Sequence, residues 1–241
     1  MFEPPLAGDG YGRLGAAVRI RQLTPNLIQL RKMHFVNAYL VREDDGFTLV
    51  DTTLPRSGDA LIDAAREHGG AIRRIALTHG HGDHVGSLDA LKERLGDEVE
   101  ISMPELDARI HAGEQVVEGK LPGSWPEVRT VPDVRLEAGA RVGSLEVVAA
   151  PGHTPGHVAF LDSRDRALLV GDVFTTYGRV AVASHFSLPF PLAATATWDK
   201  PLNLESARSL RALEPTLVGP GHGPAISDPL AQMDRAISRA G

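Results

Sequence analysis

The sequence contains no cysteine, which excludes disulfide bridges, thiolate metal ligands and a cysteine nucleophile. Aromatic residues make up only 5% of the 241 residues, so a core built from the 42% of hydrophobic residues must consist mainly of Val, Leu, Ile and Ala. No run approaches the roughly 18 consecutive apolar residues of a membrane-spanning helix. Residues 1–14 also lack the basic-then-apolar pattern of a targeting peptide. We therefore expect a cytoplasmic protein with no membrane partner.

A surplus of positive charge is absent too. The formal net charge is -6 and no basic run interrupts the mixed charge pattern, which argues against a nucleic-acid or anionic-membrane partner. No break in composition and no low-complexity linker divides the chain, and its length is within reach of one large two-sheet fold. We predict a single domain over residues 1–241.

Strand patterns dominate the first half of the sequence, with a few helical segments between them. Helices are predicted over Gly58–His68 and Ser87–Leu95, and a third is predicted to begin with Pro104 in its first turn and to run to His111. Residues 112–128, rich in Gly and Pro, are predicted to form a surface loop. The predicted strands are Ala17–Leu23, Leu27–Leu30, Phe35–Arg42, Phe47–Asp51, Ile72–Thr78 and Val99–Ser102.

The second half follows the same strand-then-helix order without a convincing sequence repeat. Residues 173–200 are predicted to be irregular, and helices are predicted over Leu204–Leu213 and Pro229–Ala240. Strands grouped in meanders, with helices in each half, predict an α+β protein of two packed sheets flanked by helices. The predicted strands are Asp133–Leu136, Arg141–Ala150, His157–Leu161, Ala167–Gly171 and Pro215–Val218.

Ten histidines are unevenly distributed, and three of them lie within six residues, in the segment His79-Gly80-His81-Gly82-Asp83-His84. In an extended backbone His79 and His81 lie on the same side, and the two glycines permit a tight turn that brings Asp83 and His84 close to them. Such convergence suits a metal ion, because histidine nitrogens bind Zn²⁺ at about 2.0–2.1 Å.

Three further candidate ligands occur in one recurring setting, a Gly- or Pro-rich turn directly after a predicted strand. They are His153 in PGHTPGH, Asp172 in VGD and His222 in GPGHGP. Functional residues concentrate on loops held at strand ends by a rigid scaffold. A polar loop that contains histidines by chance does not explain this repeated setting.

These motifs, in this order, resemble those of the metallo-β-lactamase superfamily. The resemblance covers about Val36 to Gly223, starts with the strand-ending Asp51, and includes the H-x-H-x-D-H motif and its three downstream partners. It implies a four-layer αββα sandwich with the site at one edge, which agrees with the predicted grouping of strands. We therefore expect this fold, with a metal site formed by these residues at its edge.

The resemblance also implies two metal positions. One would be bound by His79, His81 and His153, the other by Asp83, His84 and His222, with Asp172 bridging the two ions. Imidazole and carboxylate ligands suit two Zn²⁺ ions, and iron or manganese suits the same set. Asp51 would accept a hydrogen bond on the His84 side and orient that ligand; a turn-capping role at the strand end is its alternative.

Such a site would hydrolyse a small ester, lactone or thioester by means of a hydroxide bridging two zinc ions, with Asp83 orienting the nucleophile. The missing cysteine counts against the best-known class B β-lactamases, and His81 against flavodiiron proteins, which have Glu there. Only one helix follows His222, whereas glyoxalase II enzymes carry a helical substrate domain. The alternatives are a mononuclear iron persulfide dioxygenase, a β-lactam or phosphodiester hydrolase, and a non-catalytic binding protein.

The substrate, a small acyl compound in the leading interpretation, is poorly specified by the sequence. Five of the twelve Phe, Trp and Tyr residues lie in the segment 174–198, which suggests an apolar wall beside the metals or, equally, a local core. Tyr177 is a candidate to polarise the substrate carbonyl, by resemblance to lactonases of the superfamily, or a wall residue. Phe174 and His185 are candidate substrate contacts. The oligomeric state has no readable pattern.

Overall fold

The computed structural model describes residues 18–241. The predictions for residues 1–14, and Ala17 at the start of the first predicted strand, lie outside these described residues. Fourteen strands occur in the described part: β1 Arg19–Thr24, β2 Leu27–Lys32, β3 Val36–Glu43, β4 Gly46–Val50, β5 Ile72–Ala76, β6 Glu100–Pro104, β7 Val134–Leu136, β8 Arg141–Val142, β9 Leu145–Ala149, β10 Val158–Asp162, β11 Ala167–Thr175, β12 Ala181–Val182, β13 Leu217–His222 and β14 Ile226–Ser227.

Helices accompany the strands in both halves of the chain, and none that the structure describes is long and apolar enough to cross a membrane. They are α1 Gly58–Glu67, α2 Gly82–Val85, α3 Leu88–Leu95, α4 Glu105–His111, α5 Leu192–Ala196, α6 Lys200–Ala212 and α7 Leu230–Ala240.

The strands form two half-sheets that meet at one edge. The first has the order β7-β6-β5-β4-β3-β2-β1, and its β4, β5, β6 and β7 run parallel. The second has the order β13-β11-β10-β9-β8, with β12 beside β11 and β14 beside β13. A single residue pair, Val36 of β3 with His222 of β13, joins them. The two half-sheets are therefore continuous only at this seam.

Alternating side chains divide the interior into three apolar layers. In β3, Ala38 and Leu40 point to a core shared with the helices of the first half, whereas Tyr39 and Val41 point to the second half-sheet. Along β11, Leu168 and Val170 pack with α6 and α7, while Ala167 and Leu169 face the first half-sheet. Helices, sheet, sheet and helices therefore stack as the predicted αββα sandwich.

The segment predicted to be irregular, 173–200, is partly regular. The strand predicted to end at Gly171 continues as β11 to Thr175, because its residues stay buried and pair with both β12 and β13. Helix α5 then occupies residues 192–196. Because every residue of β11 is buried, its sequence shows no alternation of apolar and polar residues, and the pattern did not indicate where the strand ends.

Other predicted boundaries are also wrong. Helix α6 begins at Lys200 rather than Leu204, because the Asp199 carboxylate accepts from the Leu202 backbone N–H (2.9 Å) and caps it. Pro104 ends β6 and precedes α4 instead of lying in its first turn. The predicted strand Arg141–Ala150 is a hairpin of β8 and β9.

Candidate metal centre

The six-residue histidine segment leaves the end of β5 and folds back on itself. The His81 carbonyl accepts from the backbone N–H groups of His84 (2.8 Å) and Val85 (3.0 Å), which forms the first turn of α2. This turn returns Asp83 and His84 toward His79. The side chains of His79, His81 and His84 are all buried. The local backbone therefore forms the tight turn that the two glycines predicted.

The three downstream residues approach from the second half-sheet. His153 lies in the turn after β9, as predicted. The expected setting is wrong for the other two, because Asp172 lies inside β11 and His222 is the last residue of β13. These two strands are parallel neighbours, so both side chains are placed by the sheet itself rather than by loops.

The seven predicted ligands converge at the seam between the half-sheets. His81 Nδ1 lies 3.1 Å from His153 Nε2, and His222 Nε2 lies 3.0 Å from Asp172 Oδ2 and 3.2 Å from Asp83 Oδ2. His84 Nε2 and His153 Nε2 are each 3.5 Å from a carboxylate oxygen of Asp172. Three overlapping groups have donor atoms within 4.8 Å of one another: His79, His81 and His153; His79, His84 and Asp172; Asp83, His84 and His222.

The donor atoms fit divalent metal ions. His79 Nε2, His84 Nε2 and Asp172 Oδ1 are buried without a hydrogen-bond partner in the described chain, although buried polar atoms are normally paired. Two nitrogens bound at 2.0–2.1 Å to a tetrahedral Zn²⁺ lie about 3.3 Å apart, and the observed His81–His153 separation is 3.1 Å. Metal binding would supply the missing partners.

The outward ring nitrogens have their own partners, which fix the ring orientations. His84 Nδ1 donates to Asp51 Oδ2 at 2.8 Å. Thr78 Oγ1 contacts Asp51 Oδ2 (2.9 Å) and His79 Nδ1 (3.0 Å), and His153 Nδ1 contacts Thr197 Oγ1 at 3.0 Å. Asp51 thus occupies the place that the sequence predicted for it, on the His84 side of the cluster.

Charge is distributed unequally over the cluster. Burial opposes the charged form of both His84 and His222, but nearby carboxylates outweigh it. Asp51 and Asp172 hold the pKa of His84 well above its usual value, and Asp172 and Asp83 raise that of His222 to about 9. Burial holds the pKa of His79 and His153 well below the usual value. The pKa of Asp172 is lowered despite burial, chiefly by His222 and His84. The Asp172 carboxylate is therefore ionised at neutral pH.

A buried aspartate that the sequence analysis missed ties the two ligand loops together. Asp107, on α4, accepts from the Gly80 N–H (2.8 Å), the Thr154 hydroxyl (2.7 Å) and the Gly156 N–H (2.8 Å). Gly80 lies between two ligands and Thr154 follows a third. An aspartate early in a short helix resembles any helix-start carboxylate, so no signal in the sequence distinguished it.

His157 has a similar supporting place. It is buried, and its Nε2 accepts from the backbone N–H of Asp172 at 3.0 Å. Burial lowers its pKa to about 3, so the ring is neutral and can accept this bond. The second histidine of the PGHTPGH motif therefore positions a ligand strand rather than binding metal.

The loop 112–128, predicted only to lie on the surface, covers the histidine segment. Gly82 N–H donates to the Ser124 carbonyl (2.9 Å), and Trp125 packs edge-on against His81 with ring centroids 5.1 Å apart. His111, for which no role was predicted, contacts the Gly80 carbonyl through Nε2 at 2.8 Å. This loop is part of the site.

A cleft of about 660 Å³ opens beside the metal cluster. Asp83 lines it and is 32% exposed, whereas the other six candidate ligands are buried. The segment 174–198 contributes Leu192, Thr195 and Ala196 to the lining, and no aromatic residue. The expected aromatic wall is therefore wrong for this cleft.

The three predicted substrate residues have different places. Phe174 is 1% exposed and packs in the core with α6 and α7, so its prediction as a substrate contact is wrong. Tyr177 packs edge-on against Phe35 and Phe190, whose rings lie next to His222. His185 is half-buried, and its backbone N–H donates to the Val182 carbonyl at 2.9 Å.

The chain belongs to the metallo-β-lactamase superfamily, whose sequence profile matches residues 31–222. It is 37% identical to the uncharacterised protein YobT of Bacillus subtilis over 85% of this chain and 90% of YobT. It is 30% identical to the probable metallo-hydrolase YybB of the same organism over 79% of this chain and 82% of YybB. A hydroxyacylglutathione hydrolase of Rhodopseudomonas palustris is 28% identical, over 58% of this chain and 48% of that enzyme.

Solved structures support the same fold. TTHA1623 in a di-iron-bound form superposes with a TM-score of 0.60 at 28% identity, over 91% of this chain and 98% of that one. The metallo-β-lactamase DIM-1 superposes with a TM-score of 0.71 at 19% identity, over 93% of this chain and 97% of that one, and shows the fold alone. The family, its metallo-hydrolase relatives and the histidine–carboxylate cluster support a metal-dependent hydrolase.

Proposed function

We propose that the protein hydrolyses a small ester, lactone or thioester at a dinuclear site that holds two Zn²⁺ ions. The observation that carries the proposal is the convergence of buried, unpartnered nitrogen and oxygen atoms beside an open cleft. His79, His81 and His153 would hold one ion, Asp83, His84 and His222 the other, and Asp172, whose two oxygens face His84 and His153, would lie between them. When bound, such ions polarise a carbonyl and supply an activated water.

In the reaction, the oxygen of a water molecule forms a bond to the acyl carbon, the bond to the leaving sulfur or oxygen breaks, and a proton passes to the leaving atom. Asp83 is the proposed carrier of this proton. It is the partly exposed carboxylate of the set, and its pKa is lowered despite burial, because His84 and His222 lie beside it. An ionised carboxylate at the cleft can orient a water molecule and accept its proton.

The surrounding residues keep this arrangement in place. Asp51 and Thr78 hold His84 and His79, and Thr197 holds His153, so the rings need not reorganise during the reaction. Tyr177 remains a proposed carbonyl-polarising residue, and its support is its packing in the aromatic group next to His222. Its alternative role is to form part of that wall. His185 remains a proposed substrate contact.

The relatives support an acyl substrate in part. The hydroxyacylglutathione hydrolase similarity suggests thioesters, although it covers about half of that enzyme. TTHA1623, which shares this fold at 28% identity, has a di-iron-bound form, so iron is the second candidate metal. The mononuclear iron persulfide dioxygenase remains the alternative function. A small-molecule substrate in the cytoplasm, with no nucleic-acid or membrane partner, completes the proposal.

The metal content of the protein and its turnover of a panel of substrates together test the proposed hydrolase function. We expect two zinc ions per chain and turnover of lactones or thioesters that fails in Asp83→Ala. Turnover of β-lactams or phosphodiesters in place of acyl esters would redirect the proposal to those hydrolases. One iron per chain with oxygen consumption would overturn it in favour of the dioxygenase.

A further inference from the structure

The cleft beside Asp83 has apolar walls formed by three parts of the chain that are distant in sequence. Leu54, Pro55 and Val85 lie on the α2 side, and Val128 belongs to the loop that covers the histidine segment. Leu192 and Ala196 of α5 complete the lining, and Leu192 is 62% exposed. Apolar groups of this kind favour an alkyl chain, each methylene of which gains affinity when it leaves water.

The charged groups of this cleft are all carboxylates. Asp83, Asp89 and Glu127 line it, and no Lys, Arg or His of the described residues does. Asp89 is already satisfied, since Thr130 Oγ1 (2.6 Å), the Thr130 N–H (2.8 Å) and Arg129 surround its oxygens. Arg129 itself lies outside the lining and faces Asp89.

Glu127 differs from Asp89 because it is exposed and has neither an ion pair nor a hydrogen bond to the described part of the chain. Its negative charge therefore acts on whatever enters the cleft. A carboxylate or phosphate on the substrate would meet this charge with no basic side chain to offset it, whereas a neutral or cationic group would not be repelled.

We propose that this cleft binds the part of the substrate outside the scissile bond, and that it selects esters, lactones or thioesters with an apolar acyl chain and no negative charge. The inference rests on the proposed hydrolase function. It distinguishes the protein from enzymes that act on anionic thioesters such as glutathione conjugates, and from hydrolases of phosphodiesters. The discriminating residue is Glu127.

A matched set of thioesters tests the charge selection in the metal-loaded protein. Each carries a butyryl group, and the leaving thiols are thiocholine (cationic), 2-mercaptoethanol (neutral) and 3-mercaptopropionate (anionic). We expect kcat/KM to fall in that order. In water, a unit charge some 7 Å away changes binding about threefold, so Glu127→Gln should reduce the cation-to-anion ratio about threefold to tenfold and Glu127→Lys should reverse the order at low salt.

Glu137→Lys is the matched control, because it makes the same charge change at an exposed position after β7 that does not line the cleft. It should leave the order unchanged. Lengthening a neutral substrate from acetyl to hexanoyl should raise kcat/KM by up to about fourfold per methylene. Equal or better turnover of the anionic thioester, or the same change in Glu137→Lys as in Glu127→Lys, would overturn the inference.

Binding of the non-hydrolysable S-butyl thioethers of the same thiols, measured by calorimetry, separates the two proposals. If no thioester is hydrolysed but the cationic thioether binds more tightly than the anionic one and Glu127→Lys reverses this, the hydrolase proposal fails while the charge selection stands. If hydrolysis occurs without charge discrimination in either assay, the hydrolase proposal stands and the inference about the cleft is wrong.

Discussion

Replacing Gly123 by alanine should displace a candidate metal ligand, and the structure offers a matched control for this change. Gly123 has a φ of +81°, and a Cβ there would lie 2.6 Å from His81 Cε1 and 2.9 Å from Cδ2. Gly119, in the same loop, has a φ of +82° and nothing within 4 Å of a built Cβ. The two substitutions therefore share the backbone cost and differ in the contact with His81.

The expected losses of stability come from the left-handed backbone and, at Gly123 alone, from the contact with His81. A left-handed backbone costs a non-glycine residue roughly 1–2 kcal/mol, so Gly119→Ala should lose about that much. The contact at Gly123 is about 1 Å shorter than ordinary van der Waals contact, and overpacking of this kind costs about 1–3 kcal/mol more. Because His81 is 3% exposed and its Nδ1 is 3.1 Å from His153 Nε2, relief of the contact should move a ligand nitrogen.

We expect Gly123→Ala to bind Zn²⁺ at least about tenfold more weakly than Gly119→Ala, the range seen when a ligand's orientation is disturbed. Chelator competition measures the affinity, and urea unfolding with and without metal measures the stability. A tenfold loss of affinity should remove about 1.4 kcal/mol of the metal-dependent stabilisation. If both variants bind Zn²⁺ equally well, the covering loop does not fix His81 and the reasoning fails.

Three further predictions concern carboxylates. Asp83→Ala should lower kcat/KM by about 10²–10⁴ with little change in the unfolding free energy of the metal-free protein, since the side chain is partly exposed; retained activity would remove Asp83 from the mechanism. Asp51→Asn should weaken metal affinity about 10–100-fold, because it leaves His84 Nδ1 without its anionic partner; unchanged affinity in a chelator titration would contradict this. Burial raises the pKa of Asp107 to about 6 from the usual 3.8, so between these values the folded state binds more protons than the unfolded state, and its stability contribution falls as pH rises. The difference of about two pH units corresponds to roughly 3 kcal/mol of unfolding free energy. Asp107→Asn should abolish this part of the pH dependence, which urea unfolding between pH 4 and 7 measures. If the variant and the wild-type protein have identical profiles, Asp107 does not titrate in this range.

Local sequence determined much of the first half of the molecule. The grouping of strands and helices predicted two packed sheets flanked by helices, because alternation and helical periodicity report directly which face is buried. The resemblance to the superfamily implied the αββα order of these layers. The histidine segment was equally readable, since its four candidate ligands lie within six consecutive residues and its turn needs only local hydrogen bonds such as His84 N–H to the His81 carbonyl. The recurring Gly- or Pro-rich setting singled out His153, Asp172 and His222, and the resemblance to the metallo-β-lactamase superfamily grouped them with this segment into two metal positions.

Tertiary structure decided what lies around those ligands. Asp107 supports the site through bonds to residues 27, 47 and 49 positions away, and the Leu54, Val128 and Leu192 sides of the cleft meet only after folding. Phe174, two residues after Asp172 in β11, points into the core instead. Strict alternation would place both side chains on one face, but the pairing of β11 with β13 changes register between Gly171 and Thr175. Local sequence thus determined the metal-binding segment, whereas the packing of two half-sheets at the Val36–His222 seam determined the site's walls.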